Sequence, residues 1–184
     1  MKTRTIGLVL LLVPYLLGAS AQNISKAPAV SDNPKNGFRA EFISDLNDLQ
    51  KKCIGLANAV PADRYGWRPD AGVRSISEVY THMAGGTYYL ATFLGEQPPA
   101  HMPKDIETIT DKPTVVSELQ KSFDYIRALM KKTPDGDLDK PVTMLGSQTT
   151  VRGVNVMILN HLHEHLGQSV AYARMNKVVP PWSR

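Results

Sequence analysis

Cysteine occurs once, at Cys53, so no disulfide can form within the chain. The fold must therefore stand on its apolar core, which is feasible for a domain of this size. Aromatic residues make up only 7% of the sequence, which argues against a surface that stacks nucleic-acid bases. An excess of one charge is also missing. The 21 basic residues include Lys2 and Arg4 in an N-terminal stretch without acids; the remaining 19 face 17 acidic residues, a net of +2. Such a balance attracts polyanions weakly and excludes a nucleic-acid partner on electrostatic grounds. No Gly-rich phosphate loop occurs, and no Ser stands in a nucleophile elbow. His-Glu-x-x-His is absent as well, since His163-Glu164-His165 has the wrong spacing.

The longest apolar run, Ile6 to Leu17, follows Lys2 and Arg4 and precedes Ala19-Ser20-Ala21. A basic start, a short apolar stretch and a small-x-small site form the layout of a secretory signal peptide. The run is shorter than the roughly 20 residues that span a bilayer. The expected organisation is a signal peptide over 1–21, a polar leader over 22–36 and one domain over 37–184. The mature chain then begins at Gln22, carries no membrane span, and is periplasmic or secreted.

Four helical stretches fill the domain. Phe38, Phe42, Leu46, Leu49, Cys53 and Leu56 recur at spacings of three and four, closed by Pro61. Cys53 lies on that stripe, so a buried, inert thiol is expected. Ser75-x-x-Glu78 reads as a capping box opening a second helix that Gly95 stops. Its stripe is Ile76, Val79, Met83, Leu90 and Phe93, with His82 in the same arc. A third helix starts near Pro113-Thr114, with Val116, Leu119, Phe123, Ile126 and Met130 facing inward. Residues 134–152 are the least helical, and Val142–Thr150 can hold a short β excursion. The fourth helix, from Val154 to Asn176, places Val154, Ile158, His161, His165, Gln168, Tyr172 and Met175 on one seam. These features predict an all-α fold, a four-helix bundle with a long connection between the second and third helices.

His161 and His165 stand at i and i+4, the spacing that lets two imidazoles on one helix share a metal ion. The competing reading is a pair of surface histidines; the seam favours the inward one. His82 on a facing helix can complete a three-nitrogen site with an open position, the form of a catalytic centre. Taken alone, His82 also fits a hydrogen-bonded core histidine. His163 lies two residues from both others, about 200° around the helix, and points away. His101 falls in a Pro-rich loop. Glu164 and Gln168 are the neighbouring candidates to orient an imidazole or to face the open position.

The stretch NHLHEHLGQSVAYARMNKVVPPWSR resembles the C-terminal signature of the DinB-like (DinB/YfiT) family, with its His-x3-His-x-Gly-Gln and terminal Pro-Pro. RPDAGVRSISEVYTHMA is similar to the family's second-helix signature, where Arg-Ser precedes a helix carrying one His. The resemblance covers residues 38–184 and implies an up-down-down-up bundle holding a divalent metal through three His, here His82, His161 and His165. It aligns the Gly-Gln pair with Gly167 and Gln168 and the family's Arg with Arg174. It implies a metal-dependent enzyme of hydrolase or thiol-transferase type acting on a small molecule. The alternatives are a non-catalytic metal- or ligand-binding bundle and a purely structural metal. Zinc or nickel heads the expected metals; iron, manganese and copper also suit imidazole-rich sites. No organic cofactor is indicated, and the sequence leaves the oligomeric state, a homodimer included, open.

Overall fold

The computed structural model describes residues 30–183. The expected signal peptide and most of the leader lie outside the described residues. Four helices carry the domain: α1 (Gly37–Ala59), α2 (Ile76–Thr92), α3 (Lys112–Lys132) and α4 (Val151–Met175). A hairpin of β1 (Pro141–Met144) and β2 (Ser147–Thr150) precedes α4. The main helix contacts are of α1 and of α2 with both α3 and α4. Helices α1 and α2 thus occupy opposite corners of the bundle, and the long α2–α3 connection carries the chain to the next corner.

Apolar periodicity forms the core as expected on α1, where Phe42, Leu46, Leu49, Cys53 and Leu56 are buried. Burial pushes the Cys53 thiol up to about 12, so it is an apolar packing atom and no nucleophile. Arg39 on the same helix is 2% exposed. Its guanidinium donates to the carbonyls of Met130 and Lys131, at 3.1 and 2.6 Å, and so caps the C-terminus of α3.

Helix α2 begins with the expected capping box. Ser75 Oγ accepts from the Glu78 amide at 3.3 Å, and Glu78 Oε2 accepts from the Ser75 amide at 2.7 Å. Helix α3 begins one residue earlier than expected, at Lys112, because the Asp111 carboxylate caps the Thr114 amide at 3.1 Å. Its inward residue near the start is Val115; Val116 is only half-buried. Val115 stands four residues before Leu119 and so shares its face.

The β excursion is a hairpin with Pro141 opposite Thr150 and Met144 opposite Ser147. Its turn residues Leu145 and Gly146 both have positive φ, 51° and 81°. Thr150 ends the hairpin and caps α4, accepting from the Gly153 amide at 3.1 Å. Helix α4 therefore starts at Val151, ahead of the expected Val154.

On α4 the expected seam drifts. The buried residues are Val154, Asn155, Ile158, Leu162, His165, Leu166, Ser169, Tyr172 and Ala173, while Met175 is 57% exposed. A strict 4-3 alternation repeats every 3.5 residues, and a straight helix repeats every 3.6. Leu162 and Ser169 take the inward places that the alternation assigned to His161 and Gln168. Both of those are half-buried at the edge of the core, and His82 also stands at the margin of α2.

Candidate metal centre

Helix α2 brings His82 against His161 and His165 of α4. One nitrogen from each ring lies within 4.8 Å of the others. The three rings meet edge to face, with centroids 4.6–5.1 Å apart. His82 Nε2 and His161 Nε2 are separated by 3.3 Å.

Two of the rings are oriented from behind. His82 Nδ1 is 2.7 Å from Glu107 Oε1, and His165 Nδ1 is 2.8 Å from Gln168 Oε1. An oxygen acceptor at Nδ1 holds the proton there and leaves the Nε2 lone pair free. Gln168 is held in turn, because its Nε2 donates to Tyr172 Oη at 3.0 Å. The Tyr172 ring packs edge to face on Trp67, at 5.5 Å between centroids. Glu107 is fixed on its other oxygen by Arg74 Nε at 3.4 Å.

His161 differs from its two neighbours. Its Nδ1 is buried and has no partner among the described residues. Burial, followed by the charges of His165, His82 and Arg74, pushes its pKa down to about 4. The ring is therefore neutral at pH 7. It packs against the backbone of Gly86, one turn along α2 from His82. A Cβ at Gly86 would stand 2.8 Å from His161 Nε2 and closer still to Cε1.

The donor set suits a divalent cation. Two nitrogens bound to one zinc ion at ~2.1 Å and a tetrahedral angle lie ~3.4 Å apart, close to the 3.3 Å between His82 and His161 Nε2. Three imidazoles, two with Nδ1 engaged by oxygen, match the ligand chemistry of zinc, nickel or copper. Three protein ligands leave a coordination position free. A cleft of about 500 Å³ opens beside His82, bounded by Gly86, Tyr89, Ile106 and Glu107.

The other sequence candidates fall elsewhere. Glu164 is exposed and makes no hydrogen bond or ion pair among the described residues. His163 is exposed, with Nδ1 2.9 Å from the Leu159 carbonyl oxygen. His101 is exposed in the α2–α3 connection, and Arg174 is exposed on α4. Sequence reasoning missed Glu107 and Gly86, and it noted Arg74 only in the Arg-Ser pair of the second-helix resemblance, without a role. Glu107 lies in a single 3-10 turn, Ile106–Thr108, with no periodicity to mark it. Gly86 did leave a signal. A Gly-Gly pair inside a helix is unfavourable by roughly 1 kcal/mol per residue relative to Ala, and close approach of another group is a usual reason for it.

The sequence profile of the DinB superfamily matches residues 45–169. A DinB-like protein from Bacillus cereus has a similar crystal structure, with a TM-score of 0.64 and 16% identity over 76% of this chain and 93% of that one. A DinB-like protein from Bacillus subtilis gives 0.61 and 18%, over 76% and 94% of the two chains. At such identities the likeness is one of fold. No curated protein sequence matches the chain. The extent of the profile match settles the family: this chain belongs to the DinB superfamily.

Proposed function

We propose that this DinB-superfamily chain is a metal-dependent enzyme. Its divalent ion, zinc or nickel, is held by His82, His161 and His165, and its substrate is a small molecule. The observation that carries the reading is the convergence of three imidazole nitrogens within 4.8 Å beside an open cleft. An ion bound there supplies Lewis acidity, enough to make a water or a thiol nucleophilic near neutral pH. Hydrolysis and thiol transfer are the two reaction classes that this chemistry serves.

The chain's own residues supply orientation and shape. Glu107 and Gln168 fix the tautomers of His82 and His165, so the Nε2 lone pairs need no reorganisation. The low basicity of His161 keeps its lone pair available through the physiological range. Gly86 gives the His161 ring the room it needs. Asp105 and Glu107 are the carboxylates that line the cleft, and Glu107, the one in contact with His82, is the group proposed to accept a proton there.

The test is elemental analysis of protein purified without chelator or a histidine tag, followed by hydrolase and thiol-transferase screens on loaded and stripped samples. Close to one zinc or nickel per chain is expected. His161→Ala and His165→Ala should each lose it, and His163→Ala should retain it. Loss of metal in His163→Ala alone would overturn the ligand assignment. A fully loaded protein inert in both screens would turn the reading to a binding or structural centre.

Export is proposed with it, on the sequence pattern of residues 1–21. Mass spectrometry of the protein from its native cell should find Gln22 as the first residue. A chain that still carries Met1 would overturn export and leave the metal reading standing.

A further inference from the structure

We infer that Arg74 is the anion-recognising residue of this site, and that the substrate carries a carboxylate or phosphate group which Arg74 binds at the mouth of the metal centre. The inference rests on the metal-dependent reading above and adds the substrate's charge class to it.

A second cleft, of about 630 Å³, lies on the other side of Glu107. Its wall includes Arg68, Arg74, Glu107 and Gln168. Glu107 and Gln168 are the two residues that orient His82 and His165, so this cleft reaches the back of the metal centre. It shares Glu107 and Thr108 with the cleft beside His82. A molecule lying across Glu107 therefore meets His82 on one side and the arginines on the other.

The two arginines are not equivalent. Arg68 is engaged at both terminal nitrogens: NH1 donates to the Val73 carbonyl at 2.7 Å, and NH2 donates to Glu78 Oε1 at 2.9 Å. Arg74 engages only Nε, on Glu107 Oε2 at 3.4 Å. Neither of its terminal nitrogens has a hydrogen-bond partner among the described residues. A guanidinium whose two terminal N–H groups face a cleft presents the fork that matches a carboxylate or phosphate.

The backbone that carries Arg74 is clamped on both sides. Arg68 holds the Val73 carbonyl before it, and Glu78 Oε2 holds the Ser75 amide after it. Arg74 is the last residue before the α2 cap, a position fixed by the capping box and not by the side chain's own contacts. An exposed single-contact pair such as Arg74–Glu107 adds little to stability. Its placement against the centre therefore has its use in binding.

Calorimetric titration of the full mature chain, zinc-loaded and zinc-stripped, tests this. The probes are succinate for the carboxylate, methylphosphonate for the phosphate and succinamide as the uncharged control. At least one anion should bind the wild type, more tightly with zinc, and succinamide should not. Arg74→Gln should weaken that anion on the order of tenfold or more, the loss expected for a charge-assisted hydrogen bond. Arg74→Lys should fall between, because an ammonium lacks the fork. Lys51→Gln removes the same charge from α1, at the opposite corner from α2, and should change little. The anion that depends more strongly on Arg74 identifies the group. Helical circular dichroism confirms that each variant is folded, and zinc content is measured on the same samples. If no anion binds the wild type, or if Arg74→Gln and Lys51→Gln behave alike, the inference is overturned while zinc occupancy stands. If zinc is absent throughout, the metal reading fails, and Arg74 is still judged on the zinc-free titrations.

Discussion

A methyl group at position 86 would occupy space now filled by the His161 imidazole. Gly86→Ala therefore separates two effects that usually move together. Alanine favours the helix by up to about 1 kcal/mol over glycine, so thermal stability should change little. The His161 ring, however, must swing away from His82, and metal affinity should fall about tenfold or more, as for other disruptions of a site's supporting residues. Competition titration with a zinc chelator, beside a melting curve, checks this; unchanged affinity would mean that the ring is not held where the structure has it. The pH dependence of the metal-free protein belongs to the same ring. The pKa of His161 is depressed in the folded chain, from 6.5 to about 4. The unfolded chain therefore binds a proton that the folded chain refuses between those values. Folded stability is thus fully present above pH 6.5 and is lost as pH falls toward 4. The melting temperature of stripped protein should drop through that window, and the drop should be smaller in His161→Asn. A flat profile in the wild type would show that the ring accepts a proton in place.

At the scale of elements, most of the fold was legible and the site only in part. The stripe on α1, the capping box of α2 and the bundle architecture all follow from spacings of three and four plus end signals. The metal candidates followed from the same rule, since i and i+4 share a face whatever the register of the seam. What the spacing could not give was depth. A 4-3 alternation put His161 in the middle of the core, whereas the helix repeat puts Leu162 there and His161 at the rim. Glu107 was hidden for a different reason: it reaches His82 from a non-periodic connection, and that contact exists only in the folded chain. The hairpin before α4 carries a testable imperfection. Leu145 has φ 51° and is 64% exposed, at the first position of a two-residue turn whose second is Gly146. Both positions with positive φ call for the Asn-Gly pairing of a tight hairpin. Leu145→Asn should relieve the left-handed strain and stabilise by about 0.5–1 kcal/mol, seen as a higher melting temperature. No gain would mean that the leucine side chain contributes an offsetting contact.

For the whole molecule, the question is whether the ion builds the bundle or the bundle builds the site. Large buried apolar side chains such as Phe42, Leu46, Leu49, Leu56, Met83, Leu119, Phe123 and Ile126 come from α1, α2 and α3, Ile158 adds one from α4, and none of them is a ligand. The histidines stand at the rim, joining α2 to α4, where Leu162 and Leu166 already pack. The apolar core is therefore complete without them. Stripping the metal leaves imidazoles short of partners at that rim, a penalty of about 1–3 kcal/mol for a buried unsatisfied group. That is a fraction of the 5–15 kcal/mol typical of a domain. Chelation should consequently lower the melting temperature and leave helical circular dichroism unchanged at 25 °C. Readdition of zinc well above its Kd should restore the melting temperature by mass action. Full loss of helicity on chelation would assign the ion to the fold, as in small zinc domains that unfold without metal. The same samples, loaded with cobalt, report on access. A site with three protein ligands has room for azide or a small thiol, and its visible spectrum should shift when either is added. A helical apoprotein together with a ligand-sensitive cobalt spectrum is the combination an enzyme requires. A helical apoprotein whose cobalt spectrum ignores both additives would instead describe a closed centre that binds metal and does no chemistry.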